Sequence, residues 1–135
     1  MRLLMTLLAV LISLQAGSIE DFAIKNGYET SYTQAIAKAK SENKTLMLVM
    51  VTHYCPWCRK YEKNTLSKKS IKSLILKNYV PLIVNRQEHK FPDKFDTPRI
   101  PTTFFINPHN EGLIYSEMGY KTKSEFLEMQ KRVQP

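Results

Sequence analysis

Cysteine is nearly absent from this chain: two residues in 135, Cys55 and Cys58, both inside the stretch THYCPWCRKY (52–61). That scarcity excludes two readings of a CxxC pair. A structural zinc centre takes four ligands, commonly from two CxxC pairs or from a CxxC and an HxxxH. Here there is no second cysteine pair, and His53, His89 and His109 share no ligand spacing. His53 could join the two thiols, but a fourth ligand is missing, so no metal is expected. A c-type haem would need CxxCH, and the residue after Cys58 is Arg59. A structural disulfide stays open, although a bridge between residues three apart removes little freedom from the unfolded chain.

Other absences narrow the class. No low-complexity tract or internal repeat is visible, and 135 residues make one domain rather than two. No apolar run approaches the roughly 20 residues of a membrane-spanning helix. The longest, Leu3 to Leu14, is broken by Thr6, follows Arg2 and is followed by the small residues Ala16, Gly17 and Ser18. That order is expected of a secretory signal peptide over 1–18. An uncleaved N-terminal anchor or a buried helix are the alternatives. The expected domain is then 19–135, in an exported setting. Acid is in deficit too. Only Arg2 of the 20 Lys and Arg falls within 1–18, so 19 remain against 12 Asp and Glu, about +7. A basic surface favours anionic partners. Export argues against nucleic acid, and the lysines are scattered along exposed helix faces rather than gathered.

What is present reads as alternating helices and strands. Ser31 and Gln34 stand at capping-box spacing, and Tyr32, Ala35, Ile36 and Ala39 recur at helical intervals, predicting a helix over 31–42. TLMLVMVT (45–52) is nearly all apolar, as a strand covered on both faces would be. Pro56 suits the first position of a helix, expected from Pro56 to about Leu66, with a second helical stretch over 67–78. YVPLIVN (79–85) reads as a strand with Pro81 confined to its start, and EHKFPDKF as a short irregular helix or loop. TTFFINP and GLIYSEM flank the turn PHNEG as a hairpin. Thr122 and Glu125 form a second capping box ahead of the stripe Phe126, Met129, Val133. The order is helix, strand, helix, strand, short helix, strand, strand, helix. It predicts an α/β fold, a small mixed central sheet flanked by helices.

The pair CPWC therefore opens a helix directly after a buried strand. The first N–H groups of a helix lack intrahelical partners and carry partial positive charge. A sulfur at position 55 can accept N–H bonds from residues such as Trp57 and Cys58, which favours thiolate and should bring Cys55 below the free thiol value of about 8.5. Arg59, Lys60 and Lys63 push the same way if close. Cys55 is thus the candidate nucleophile and Cys58, one turn inside, the candidate resolving thiol.

Strand TLMLVMVT, then CPWC opening a helix, then IPT ahead of strand TTFFINP, resembles the thioredoxin superfamily. The run CRKYEKNTL…KNYVPLIVN is similar to exported members that work on periplasmic disulfides. The resemblance covers most of residues 31–133. It implies a thioredoxin-like fold, a cis peptide bond between Ile100 and Pro101, and a Pro101 loop lying against the cysteines, with the backbone of Ile100 pairing to an extended substrate. It also places Gly119 and Tyr120 in a loop bordering the site. Pro56, between the cysteines, would tune the redox potential, while Tyr54 and Trp57 would offer an apolar contact surface or pack on the helix. One departure is plain: where many thioredoxins carry a buried acid, six residues before the first cysteine, this chain has Val49. Water, or else Glu62, would then handle the proton.

The function so implied is an exported thiol:disulfide oxidoreductase acting on protein thiol and disulfide substrates, without a cofactor. The chain has no room for the helical insertion of the main disulfide-forming oxidases. A reductase or isomerase fed by a membrane-bound electron donor is therefore expected. The alternatives are a disulfide-donating oxidase and, from another class, a copper-binding or delivery protein, which would need soft ligands gathered in space. A third is a redox-inactive chaperone, which would survive loss of both cysteines.

Overall fold

Strand β1 (Thr45–Val51) accounts for the near-continuous apolar run of the sequence. Side chains of a strand alternate between faces, and here both faces are covered. Met47, Val49 and Val51 enter one core cluster, while Leu46, Leu48 and Met50 enter the other. The computed structural model describes residues 18–133. The leader expected over 1–18 lies outside these residues except for Ser18. Among the described residues no helix is long and apolar enough to cross a membrane.

The sheet is mixed, as expected, in the order β2-β1-β3-β4. Strand β2 (Tyr79–Asn85) runs parallel to β1, β3 (Thr102–Ile106) antiparallel to β1, and β4 (Leu113–Met118) antiparallel to β3. Pro81 is the third residue of β2, opposite Met47, rather than at its start. It is tolerated because β2 is an outer strand. The Pro81 carbonyl accepts from the Glu29 N–H (2.9 Å), and Ile83 N–H donates to the Glu29 carbonyl (3.0 Å). The imide nitrogen therefore points to the outer edge, where no ladder donor is needed.

Helices cover both faces. Helix α1 (Ile19–Asn26), absent from the sequence reading, is capped by Ser18, which exchanges hydrogen bonds with Asp21, and ends at Gly27 in the left-handed region (φ 76°). It packs with α4 (Lys69–Asn78) and α5 (Lys123–Val133) on the face carrying the cysteines. The opposite face holds α2 (Tyr32–Glu42) and the short 3₁₀ turn Asp93–Phe95. Ser31 caps α2, accepting from Gln34 N–H at 3.3 Å. At α5 the Thr122–Glu125 box is made in both directions, and Phe126, Met129 and Val133 are buried.

Phe105 ties the cysteine-bearing half together. It is fully buried, stands opposite Met47, and its ring lies 5.2 Å from that of Tyr79. Phe105→Ala should cost about 3–5 kcal/mol, a large share of the roughly 5–15 kcal/mol typical of a domain. In urea unfolding the midpoint should fall with an unchanged slope. A loss below about 1 kcal/mol would show that the site collapses around the smaller side chain.

Candidate functional site

The first cysteine sits where β1 has ended and α3 (Pro56–Tyr61) begins. Cys55 is itself the N-cap, with extended backbone (φ −132°, ψ 95°), and Pro56 occupies the first turn. Its Sγ accepts from the Cys58 N–H at 3.1 Å, and its carbonyl accepts from Arg59 N–H at 3.1 Å. Cys58, one turn on, is bonded to Cys55 as a disulfide, with Cα atoms 5.2 Å apart. The two cysteines are not equivalent. Cys55 retains 8% exposure at the surface, whereas Cys58 is fully buried.

The helix does not continue regularly to Leu66. After Tyr61 it widens into a π turn, Glu62–Leu66. This wider turn accompanies an inward position for Glu62, which is 6% exposed and paired with Arg59 (Nε to Oε2, 2.5 Å). Arg59 also donates from Nη1 to the His53 carbonyl at 3.2 Å, two residues before Cys55. Burial raises the Glu62 carboxyl above its ordinary value, and Arg59 offsets part of that rise. The opposite charges at i and i+3 were legible as a helix pair; that they turn inward was not. Val49, where an acid was noted as missing, is fully buried among apolar neighbours.

Against this helix end lies the loop preceding β3. The Ile100–Pro101 peptide bond is cis, as expected. Gly119, at φ 86° in the left-handed region that suits glycine, donates its N–H to the Pro101 carbonyl at 2.7 Å and so joins the two loops. Trp57, Ile100, Pro101, Gly119 and Tyr120 together line a groove of about 330 Å³. Trp57 is 55% exposed, and its ring lies 6.0 Å from that of Tyr120. Ile100 offers its main chain: among the described residues neither its N–H nor its carbonyl has a hydrogen-bond partner.

The structure thus brings Cys55, Cys58, Trp57, Ile100, Pro101, Gly119 and Tyr120 to one end of the sheet. Tyr54 stands apart from the groove, 98% exposed. His53 faces Glu88 at 3.0 Å rather than the thiols. Lys60 lies over the rings of Trp57, three residues before it, and Tyr120, at 4.8 and 5.0 Å from their centroids; the Tyr120 contact has no signal in the sequence. Among the described residues, no three His, Cys, Asp or Glu side chains gather as metal ligands would.

A family model described as thioredoxin-like matches residues 28–108. The chain belongs to the thioredoxin-like family. Solved structures of similar fold include a thioredoxin from Thermus thermophilus, 21% identical, with a TM-score of 0.67 over 78% of this chain and 85% of that one. A DsbH oxidoreductase is 16% identical, with a TM-score of 0.64 over 90% and 92%. The C-terminal domain of Neisseria meningitidis DsbD in its oxidised form is 12% identical, with a TM-score of 0.61 over 78% and 99%. Among curated proteins, spermatogenesis-associated protein 20 from Rattus norvegicus is 34% identical over 61 residues, 45% of this chain. The chain spans 8% of the length of that relative. The family, the fold and the bonded cysteine pair support thiol–disulfide exchange.

Proposed function

We propose that this chain is an exported thiol:disulfide oxidoreductase for protein substrates, working as a reductase or isomerase, with Cys55 as nucleophile and Cys58 as resolving thiol. The observation that carries this reading is the asymmetry of the disulfide. Cys55 keeps 8% exposure where Cys58 keeps none, its sulfur accepts a helix N-terminal N–H, and Trp57, two residues on, lines the Pro101 groove. Export rests on the leader pattern of residues 1–18, ahead of a domain proposed to span 19–135.

In the reducing direction the Cys55 thiolate attacks one sulfur of a substrate disulfide. The substrate S–S bond breaks, a Cys55–substrate disulfide forms, and one substrate thiolate leaves. Cys58 then loses its proton to water and attacks Sγ of Cys55, releasing the second substrate thiolate and re-forming the Cys55–Cys58 bond. Two electrons pass to the substrate. A dithiol donor, proposed to be membrane-bound, returns them by the same two displacements. In isomerisation a different substrate thiolate attacks the mixed disulfide, a new substrate S–S bond forms, the Cys55 thiolate leaves, and no net electrons are transferred. The free Ile100 main chain supports this reading, since an extended substrate segment can pair with it as an added strand does. The test is to mix reduced protein with an excess of a disulfide-bridged peptide and count thiols. One peptide disulfide should be reduced per chain, and the protein should end as the Cys55–Cys58 disulfide. Unchanged peptide after hours would contradict the proposal.

A further inference from the structure

We infer that the groove beside the cysteines selects extended segments carrying acidic side chains next to the substrate cysteine, through Lys60 and Arg99; this rests on the proposed exchange at Cys55. The floor of the groove is apolar, formed by Trp57, Ile100, Pro101 and Tyr120. Its rim is cationic on two sides. Beside Trp57 and Tyr120, the Lys60 ammonium is held over both rings. Beside Ile100 and Gly119, Arg99 directly precedes Ile100 in sequence, and its Nη1 reaches Met118 Sδ at 3.5 Å, one residue before Gly119. Both are exposed side chains, and neither Lys60 nor Arg99 forms an ion pair among the described residues.

Among the described residues no carboxylate pairs with either cation, and several on the neighbouring elements are engaged elsewhere. Glu62 is bound by Arg59, Glu88 by His53, and Glu117 by Lys121 and the Tyr115 hydroxyl. A segment threading the groove along the free Ile100 main chain would project alternate side chains towards the rim. A glutamate or aspartate there meets two uncompensated cations over an apolar floor, where screening is weaker than in open water. A lysine there meets like charge. Complementarity of this kind acts chiefly on encounter rate and on rejection of the wrong partner. The lysines of α4 form a separate basic surface. Recognition by net charge alone is the competing explanation, and the experiment must separate the two.

The experiment uses three peptides of identical length, each with a central cysteine in mixed disulfide with 2-mercaptoethanol, flanked by Glu, Gln or Lys. Each is mixed with the reduced protein, and oxidation is followed by acid quench and thiol alkylation. At about 20 mM salt the Glu peptide should react roughly tenfold faster than the Lys peptide, within the range that steering provides. In 0.5 M salt the ratio should fall below about twofold. The measured quantity is the Glu-to-Lys ratio within each protein, so changes in thiol reactivity cancel. In Lys60→Gln/Arg99→Gln the ratio should drop to about twofold or less. Lys69→Gln/Lys77→Gln, which removes equal charge from α4, should keep it. Equal rates for all three peptides, or an equal drop in both double variants, would overturn the inference while leaving exchange intact. No reaction with any peptide, nor with hydroxyethyl disulfide, would overturn the exchange reading and this inference with it.

Discussion

Cys58→Ser should turn the chain from a catalyst into a trap, and Cys55→Ser should remove exchange altogether. The expectation follows from the unequal burial of the two cysteines. Cys55 keeps 8% exposure and stands two residues before Trp57 of the groove, so it is the cysteine a substrate sulfur can approach. Cys58, fully enclosed and one turn deeper, can reach only Cys55. In Cys58→Ser the first displacement still takes place, but the mixed disulfide has no internal thiol to resolve it. It should accumulate as a covalent adduct on a non-reducing gel, at close to one per chain. Turnover of peptide disulfide should fall by about 10³-fold or more in either variant, the scale on which loss of a covalent nucleophile acts in other enzymes. An adduct trapped through Cys58 in Cys55→Ser, with none in Cys58→Ser, would reverse the assigned roles. Wild-type turnover in both would show the pair to be structural.

Arg59→Met should be the most damaging change to the site's support, and its cost should depend on pH. Glu62 is buried, and burial holds its carboxyl above the ordinary value of 4.5 despite Arg59. A raised carboxyl binds its proton more tightly in the folded chain than in the unfolded one. The stability this contributes is fully present below about pH 4.5 and is lost as pH rises through the folded value. Removing the guanidinium takes away the one charge that offsets burial. The Glu62 carboxyl then rises further, and the loss at neutral pH deepens. At pH 7 the variant should be about 3 kcal/mol less stable, as when one partner of a buried pair is deleted. At pH 4, below the raised Glu62 value in both proteins, the gap should shrink to about 1 kcal/mol, the remainder being the lost bond to the His53 carbonyl. Urea unfolding at pH 4, 5.5 and 7 reads this directly. A gap independent of pH would mean that Glu62 does not carry the effect.

Much of this arrangement was legible before any coordinates. Wherever a local signal has one physical cause, the sequence reading holds. The Thr122–Glu125 box starts a helix, the run from Thr45 can only be a strand covered twice, and CPWC after it places a cap at Cys55. The α/β fold with its mixed sheet, and the thioredoxin family, followed from those signals taken with the IPT motif. Helix α1 was missed although Ser18 and Asp21 exchange hydrogen bonds at its start and Gly27 ends it. Its eight residues begin just after the small residues that close the apolar N-terminal run, a pattern that reads Ser18 as part of a cleavage site. The π turn after Tyr61 was illegible for a different reason. Whether Glu62 faces water or the core depends on one extra residue in a single turn, and Arg59 must be beside it for burial to be tolerable. Lys60 over Trp57 is a local i,i+3 contact of one helix, but Lys60 over Tyr120 joins residues 60 positions apart in sequence, which no local pattern encodes.

The most direct test of the central claim is the reduction potential of the Cys55–Cys58 pair, from equilibration of the purified protein with dithiothreitol or glutathione. A reductase or isomerase should fall between roughly −270 and −180 mV, the span from thioredoxin to protein disulfide isomerase. A value near −120 mV would mark a disulfide donor and contradict the assigned direction. One below about −300 mV would mark an inert structural bridge, and the catalytic reading of the pair would fall with it.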